Sequence, residues 1–252
     1  MVKMIKSVEK ALSILSLLGT DAEREFPLTE IASTLKMDVG TCANLIKTLR
    51  CQGFIDQETP RKGYRLGYKI YHLTGRYIEN DQLTKIARAD IQALGRKFNE
   101  AALLSVTRND KRIVLFNTIP DREILVRTNV EKSIYSACTG RVIIANYSPV
   151  HLDKFLVRAG IPTREEWPEI YESENPEGAL RNALASIRHA GYVVHHDRNG
   201  IIGFGAPLMR EGHIVGSVGL YLPISRLGNE QATLQAVIDC ARRINEKLER
   251  SQ

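Results

Sequence analysis

From Ser7 to Gly19 the apolar residues Val8, Ala11, Leu12, Leu15 and Leu18 recur at steps of three and four, the period of one helix face, and Gly19 suits the stop. After a polar turn, Leu28, Ile31, Ala32 and Leu35 predict a second, shorter helix with its apolar side inward. Lys36-Met37-Asp38 makes a tight connection, and a third helix runs from Val39 to about Gln52, burying Cys42, Leu45, Ile46 and Leu49. The pattern then shortens. Residues 53–56 and 63–66 read as two strands around a turn that carries Pro60 and the basic pair Arg61-Lys62. Three helices and a basic-tipped hairpin make a winged helix-turn-helix over residues 1–67.

Beyond it, residues 68–80 read as a stiff helical connector, and residues 81–252 as a separate unit. Leu83, Ile86, Ala87, Ile91, Leu94 and Phe98 lie at helical spacing. Strands follow at 101–107 and 112–118 around the turn Arg108-Asn109-Asp110-Lys111, with a third predicted over 123–128. Cys138-Thr139-Gly140-Arg141 opens a helix reaching Tyr147, and two more cover 149–159 and 176–190. Late strands near 191–195, 201–208 and 213–222 precede a final helix, 229–250. Strands flanked by helices in this order predict an α+β fold with an antiparallel sheet, not a doubly wound one.

Composition narrows the class. A chain of 252 residues, 43% hydrophobic and 25% charged, fits one large or two modest globular domains. No apolar run approaches the ~18–20 residues that span a bilayer. Met1-Val2-Lys3-Met4-Ile5-Lys6 leads into an amphipathic pattern without a signal-peptide core, so a cytoplasmic location is expected. Cys42, Cys51, Cys138 and Cys240 form no C-x-x-C pair, which argues against zinc and for small buried thiols. No cofactor or metal is expected.

The charge is uneven. Net charge is +6, yet between Lys36 and Arg76 eight Lys/Arg face three carboxylates, a local +5, whereas residues 153–177 hold seven carboxylates and three basic residues. A local basic field draws polyanions, because neutralised phosphates release counterions. On the third helix Thr41, Asn44 and Lys47 share a face pointing away from Cys42, Leu45 and Ile46. Asn pairs bidentately with adenine, Thr meets phosphate or a thymine methyl, and Lys47 reaches for phosphate. Arg61, Lys62 and Arg65 of the hairpin would lie along the backbone or in the minor groove. The same three-helix pattern also serves protein-binding winged helices; the conjunction of pattern, hairpin and charge favours double-stranded operator DNA. One reading helix covers too few base pairs for useful specificity, so a homodimer or tetramer is expected.

The sequence resembles the IclR family of bacterial transcription regulators. The resemblance is carried by the run Ser7–Leu15, by Leu28-Thr29-Glu30-Ile31-Ala32, Thr48-Leu49, Gly53-Phe54-Ile55 and Tyr64-Arg65-Leu66-Gly67. In the second half it is carried by Gly191-Tyr192-Val193-Val194, Gly205-Ala206-Pro207-Leu208 and Val215-Gly216-Ser217-Val218. It implies a winged helix, a linker helix and a GAF-like effector-binding domain. The family's third helix usually opens with a Pro-Lys-Ser-Thr-like run, then a His or Tyr and an Arg; here those positions read Asp38-Val39-Gly40-Thr41, then Ala43 and Asn44, so the Lys and Arg are absent and Thr41 is left to match. That shifts DNA affinity towards the wing and Lys47.

For the effector, the helix opening at Thr139-Gly140 offers unpaired amides and a positive dipole end to a carboxylate, with Gly140 allowing close approach. The resemblance adds His195, Gly203, Gly219 and Tyr221 as lining residues. Together these point to a small organic acid. A competing reading makes Cys138 the nucleophile of a hydrolase or transferase, with His195 or His196 as base. A metal site at His195-His196-Asp197 is disfavoured because adjacent strand residues face opposite ways.

Overall fold

The computed structural model describes residues 4–21, 24–59, 62–70, 73, 82–197 and 199–251, and the chain divides into two units, Met1–Asn80 and Asp81–Gln252. Of the helical connector expected over 68–80, residues 68–70 and 73 are helical and the rest lies outside the described residues.

In the first unit, helices α1 (Lys6–Leu18), α2 (Leu28–Thr34) and α3 (Val39–Cys51) precede strands β1 (Ile55–Asp56) and β2 (Arg65–Leu66). Ile55 stands opposite Leu66 and Asp56 opposite Arg65. The strands are shorter than the pattern predicts for a local reason. Phe54 N–H donates to Leu49 O at 2.9 Å, finishing α3, and Tyr64 pairs with Phe26 instead of β1. Ile14, Leu18, Phe26, Ile31, Ala32, Cys42, Ile46 and Ile55 form the core. The apolar stripe read along α1 splits: Leu18 is buried and Leu15 packs on the core, but Val8 and Leu12 are 51% and 58% exposed. The core takes Ile14 and Leu18, which leaves Met4, Ile5, Val8 and Leu12 as an uncovered apolar face.

In the second unit, α4 (Gln82–Phe98) leads into β3 (Ala101–Arg108), β4 (Lys111–Asn117) and β5 (Glu131–Ser133). Helices α5 (Cys138–Ala145), α6 (Pro149–Ala159) and α7 (Pro176–Ala190) follow, then β6 (Val193–His196), β7 (Ile201–Arg210), β8 (His213–Pro223) and α8 (Glu230–Arg250). The six antiparallel strands run in the order β5-β4-β3-β8-β7-β6. Alternation sorts the faces. Leu104, Phe204, Ala206, Val218 and Leu220 pack with Ala87 and Ile91 of α4 and Val237 and Ile244 of α8. Gly203, Gly205, Ser217 and Gly219 turn the other way, where small residues let α5 lie close to the sheet. A satellite core of Tyr135, Ile144, Phe155, Trp167, Leu180 and Leu184 joins α5, α6 and α7.

The strand predicted over 123–128 is not there. Residues 118–130 have no regular structure, and the third strand is β5, pairing residues 131–133 with 113–111 of β4. Ile119, Ile124 and Val130 are 82%, 77% and 67% exposed, so the segment has no apolar face to lay on the sheet. Polar bonds strap it down instead. Asp121 N–H donates to Asn99 Oδ1 (2.9 Å), Arg122 Nε to Asn99 O (2.8 Å) and Arg226 Nη1 to Ile124 O (3.2 Å). Arg226 is itself fixed by the buried carboxylate of Glu100, at 2.5 and 2.9 Å.

Candidate nucleic-acid interface and effector cavity

The start of α3 is set by Asp38, whose Oδ1 accepts from Thr41 N–H at 2.9 Å and Thr41 Oγ1 at 3.3 Å. These bonds hold the Asp38 carboxyl below its ordinary range. Thr41 therefore serves the helix cap, while Asn44 and Lys47, one turn apart, are exposed. The wing is more neutral than its sequence suggests. Lys62 is paired with Glu58 at 2.5 Å and Arg65 with Asp56 at 3.4 Å; Arg61 lies outside the described residues. A cation the sequence reading passed over is Arg50, one turn beyond Lys47. Its Nη1 donates to Gln57 Oε1 at 2.9 Å, and Gln57 Nε2 donates to Lys62 O at 2.7 Å, tying α3 to the wing. Three-residue spacing from Lys47 was the signal available.

At the start of α5 the space expected for a carboxylate is filled by the chain itself. The Tyr221 hydroxyl lies 3.0 Å from Cys138 Sγ, which donates to it, and 3.3 Å from Thr139 Oγ1. Gly203 makes room for that ring, since a Cβ there would sit 2.8 Å from Tyr221 Cε1, whereas a Cβ at Gly219 would run first into the Thr139 methyl, with Tyr221 Cε2 3.2 Å away. Thr139 is fully buried, its carbonyl accepting from Ser217 Oγ at 3.0 Å. Gly140 faces Ile134, whose carbonyl carbon would be 2.8 Å and Cα 3.0 Å from a Cβ there. Thr139, Gly140 and Gly219 thus pack behind the wall, and the helix-terminus docking expected from sequence is corrected: that corner belongs to Tyr221.

The cavity begins beyond Tyr221. It measures about 80 Å³, and His195, Gly203 and Tyr221 line it together with Arg112, Arg127, Lys132, Ser136 and Asp197. Three cations face one carboxylate, Asp197, whose Oδ1 already accepts from Asn199 and Ile201 amides at 2.8 and 2.9 Å. Arg112 is the telling residue. It is 3% exposed, its Nη1 donates to Asn129 O of the strap at 2.9 Å, and its Nε is buried without a partner. Burial lowers its pKa, the direction expected of a guanidinium lacking a carboxylate. The sequence offered only an Arg at the second position of a strand, a place where charge normally reaches solvent.

Behind His195 lies a second buried guanidinium. Arg141, 4% exposed, donates from Nε to Tyr135 O (2.7 Å) and from Nη2 to Glu166 O (2.8 Å). It stacks 3.9 Å over Trp167. Its Nη1 meets His195 Nδ1 at 3.2 Å. Burial and the neighbouring Arg141 push the His195 pKa down to about 4, and burial lowers Arg141 to about 10.

The hydrolase alternative fails on geometry. Burial raises the Cys138 thiol to about 11, and its hydrogen-bond partner is Tyr221, not a histidine. His196 points elsewhere, 4.0 Å from Glu230. Among the described residues no His/Cys/Asp/Glu group is placed to hold a metal, and no helix is long and apolar enough to cross a membrane.

A winged helix with an exposed polar face on its third helix, and a separate α+β unit with a cationic cavity, are the parts of a DNA-binding transcriptional regulator. Comparison with known proteins agrees. The IclR helix-turn-helix domain matches residues 7–59, and the bacterial transcriptional regulator IclR C-terminal domain matches residues 75–246. The chain belongs to the IclR family. It is 28% identical to the glycerol operon regulatory protein of Streptomyces griseus, over 98% of each chain. Its fold matches the IclR structure of Thermotoga maritima, with a TM-score of 0.71, 20% identity and coverage of 97% and 99%. It also matches an IclR homologue from Microbacterium hydrocarbonoxydans complexed with 4-hydroxybenzoate, with a TM-score of 0.74, 18% identity and coverage of 98% and 100%.

Proposed function

We propose that this regulator binds operator DNA as a cytoplasmic homodimer or larger homo-oligomer, and that a small anionic metabolite occupying the Arg112 cavity alters that binding. The observation that carries the effector reading is Arg112. A buried guanidinium with an unpaired Nε costs about 1–3 kcal/mol, and a carboxylate in the cavity that Arg112 lines would compensate its buried charge. A structural neighbour that binds 4-hydroxybenzoate supports a carboxylate. Here the cavity of about 80 Å³ is far below the ~300 Å³ where drug-sized pockets begin, which favours a compact acid of a few carbons.

On the DNA side, Asn44 and Lys47 supply the exposed reading face, with Arg50, Lys62, Arg65 and Arg61 for phosphates and Thr41 holding the helix start. The uncovered apolar face of α1 (Met4, Ile5, Val8, Leu12) supports self-association, since a patch of this kind on a water-facing helix marks an interface.

The test is a panel of small carboxylic acids read by thermal shift and by retardation of the chain's own upstream DNA. A binding acid should raise the melting temperature and change operator affinity in the wild type, and do neither in Arg112→Met. An acid that stabilises Arg112→Met as well as wild type refutes the site.

A further inference from the structure

We infer that His195, locked by Arg141 as its Nε2–H tautomer, is the donor that selects effectors carrying a second hydrogen-bond acceptor besides their anionic group. The inference rests on the cavity assigned above and names what its other corner recognises.

A guanidinium has donors only, so the 3.2 Å contact between Arg141 Nη1 and His195 Nδ1 requires a lone pair on Nδ1. In the neutral ring the proton then sits on Nε2. Arg141 cannot turn away from this task. Its Nε and Nη2 are bound to the carbonyls of Tyr135 and Glu166, and Trp167 backs its face. Neutrality follows from the same contact, because an Nδ1–H would set donor against donor and cation against cation. The charged groups around the ring are Arg141, Glu169, Asp197 and Lys132, and the net effect with burial keeps it uncharged near neutral pH.

The placement gives the tautomer a use. His195 stands opposite Gly203 in the β6–β7 register and its ring lines the cavity. Among the described residues the ring's one hydrogen bond is that to Arg141. Nε2–H is therefore the polar atom the ring has left for a ligand. A cavity of about 80 Å³ with Arg112 also on its wall takes a short acid whose carboxylate meets Arg112 and whose hydroxyl or carbonyl oxygen meets His195. Arg141 does not line this cavity; it is a positioning residue.

Two measurements on the full chain test this. Long-range ¹H–¹⁵N spectra of the histidines, with His195 assigned by His195→Gln, should show a neutral Nε2–H ring from about pH 5.5 to about 8. Arg141→Met should give mixed tautomers titrating nearer ~6.5. A wild-type Nδ1–H ring, or titration near ~6.5 in the wild type, overturns the inference even if Arg141→Met does not fold. Calorimetry then compares lactate with propionate, which differ by one hydroxyl. Lactate should bind about two- to tenfold tighter, His195→Phe should erase the difference, and His195→Gln, which keeps an N–H donor, should restore part of it. Equal binding of the two acids, or a difference that survives in His195→Phe, overturns the donor role and leaves the anion cavity standing. If neither acid binds the wild type, the cavity reading falls and this inference with it.

Discussion

Replacing Gly140 with Ala separates packing from ligand approach, because two effects of opposite sign meet at one residue. Gly140 lies inside α5, and Ala in a helix interior is favoured by about 1 kcal/mol. Against this, the new Cβ would fall inside the contact radius of the Ile134 carbonyl oxygen, with the carbonyl carbon at 2.8 Å and Cα at 3.0 Å. These are backbone atoms of a buried residue, next to a helix whose eight residues are all buried, so neither side yields as a flexible side chain would. Overpacking costs about 1–3 kcal/mol and occasionally more, and a clash with buried backbone belongs at the top of that range. The net expectation is a loss of about 2 kcal/mol, which lowers the melting temperature by roughly 4–8 °C for a unit of this size. Thermal melts by calorimetry, beside titration with any acid that binds the wild type, read both quantities. Affinity should survive in the folded fraction. A variant that melts at or above wild type yet loses ligand would show that propensity won, that the contact with Ile134 is absent, and that the helix terminus does receive the carboxylate.

Glu58→Ala should strengthen DNA binding, because it releases Lys62 from its ion pair; the slope of log affinity against log salt should steepen by up to roughly one, read by fluorescence anisotropy. Asn44→Ala should relax preference at one base position by about 1–3 kcal/mol in a competition assay with variant operators; unchanged specificity would remove Asn44 from the reading face. For His195 the folded pKa of about 4 lies below the ordinary ~6.5, so the unfolded chain holds a proton the folded chain refuses. Stability is therefore full above ~6.5 and falls as pH drops towards ~4, by up to roughly 3 kcal/mol. His195→Gln should flatten that part of the stability–pH curve in denaturant titrations, and an unchanged slope would contradict the depressed pKa.

Periodicity alone brought most of the fold into view. The helices over 149–159 and 176–190 were legible because Pro at the first turn and an apolar stripe coincide there, with Ser148 and Asn175 capping through their side chains. The strap was not legible. Ile124, Leu125 and Val126 look like a strand, but strand propensity is a statement about a half-buried surface, and here the sheet face was already taken. The site divides in the same way. The family resemblance pointed to His195, Gly203 and Tyr221, whereas Arg112 and Arg141 could not be found by pattern, since nothing in a sequence marks which arginines fold inward without a carboxylate. Gly203 and Gly219 were legible only as glycines; what they make room for, the Tyr221 ring at Gly203 and the Thr139 methyl at Gly219, required contacts between elements.

The strap's lack of an apolar underside sets the clock for the cavity. Opening it would break a few polar bonds and expose little hydrocarbon, so the amides that depend on it, Asp121 on Asn99 and Val114 on Val130, should exchange with solvent through a local event almost insensitive to denaturant. Amides of β8, roofed on one side by α4 and α8, should exchange only with global unfolding. Arg112 grips the strap at Asn129 with one nitrogen and is itself part of the cavity wall. An anion held there would slow exchange at Val114 without changing β8, and its residence time would follow the opening rate of residues 118–130 rather than the stability of the fold.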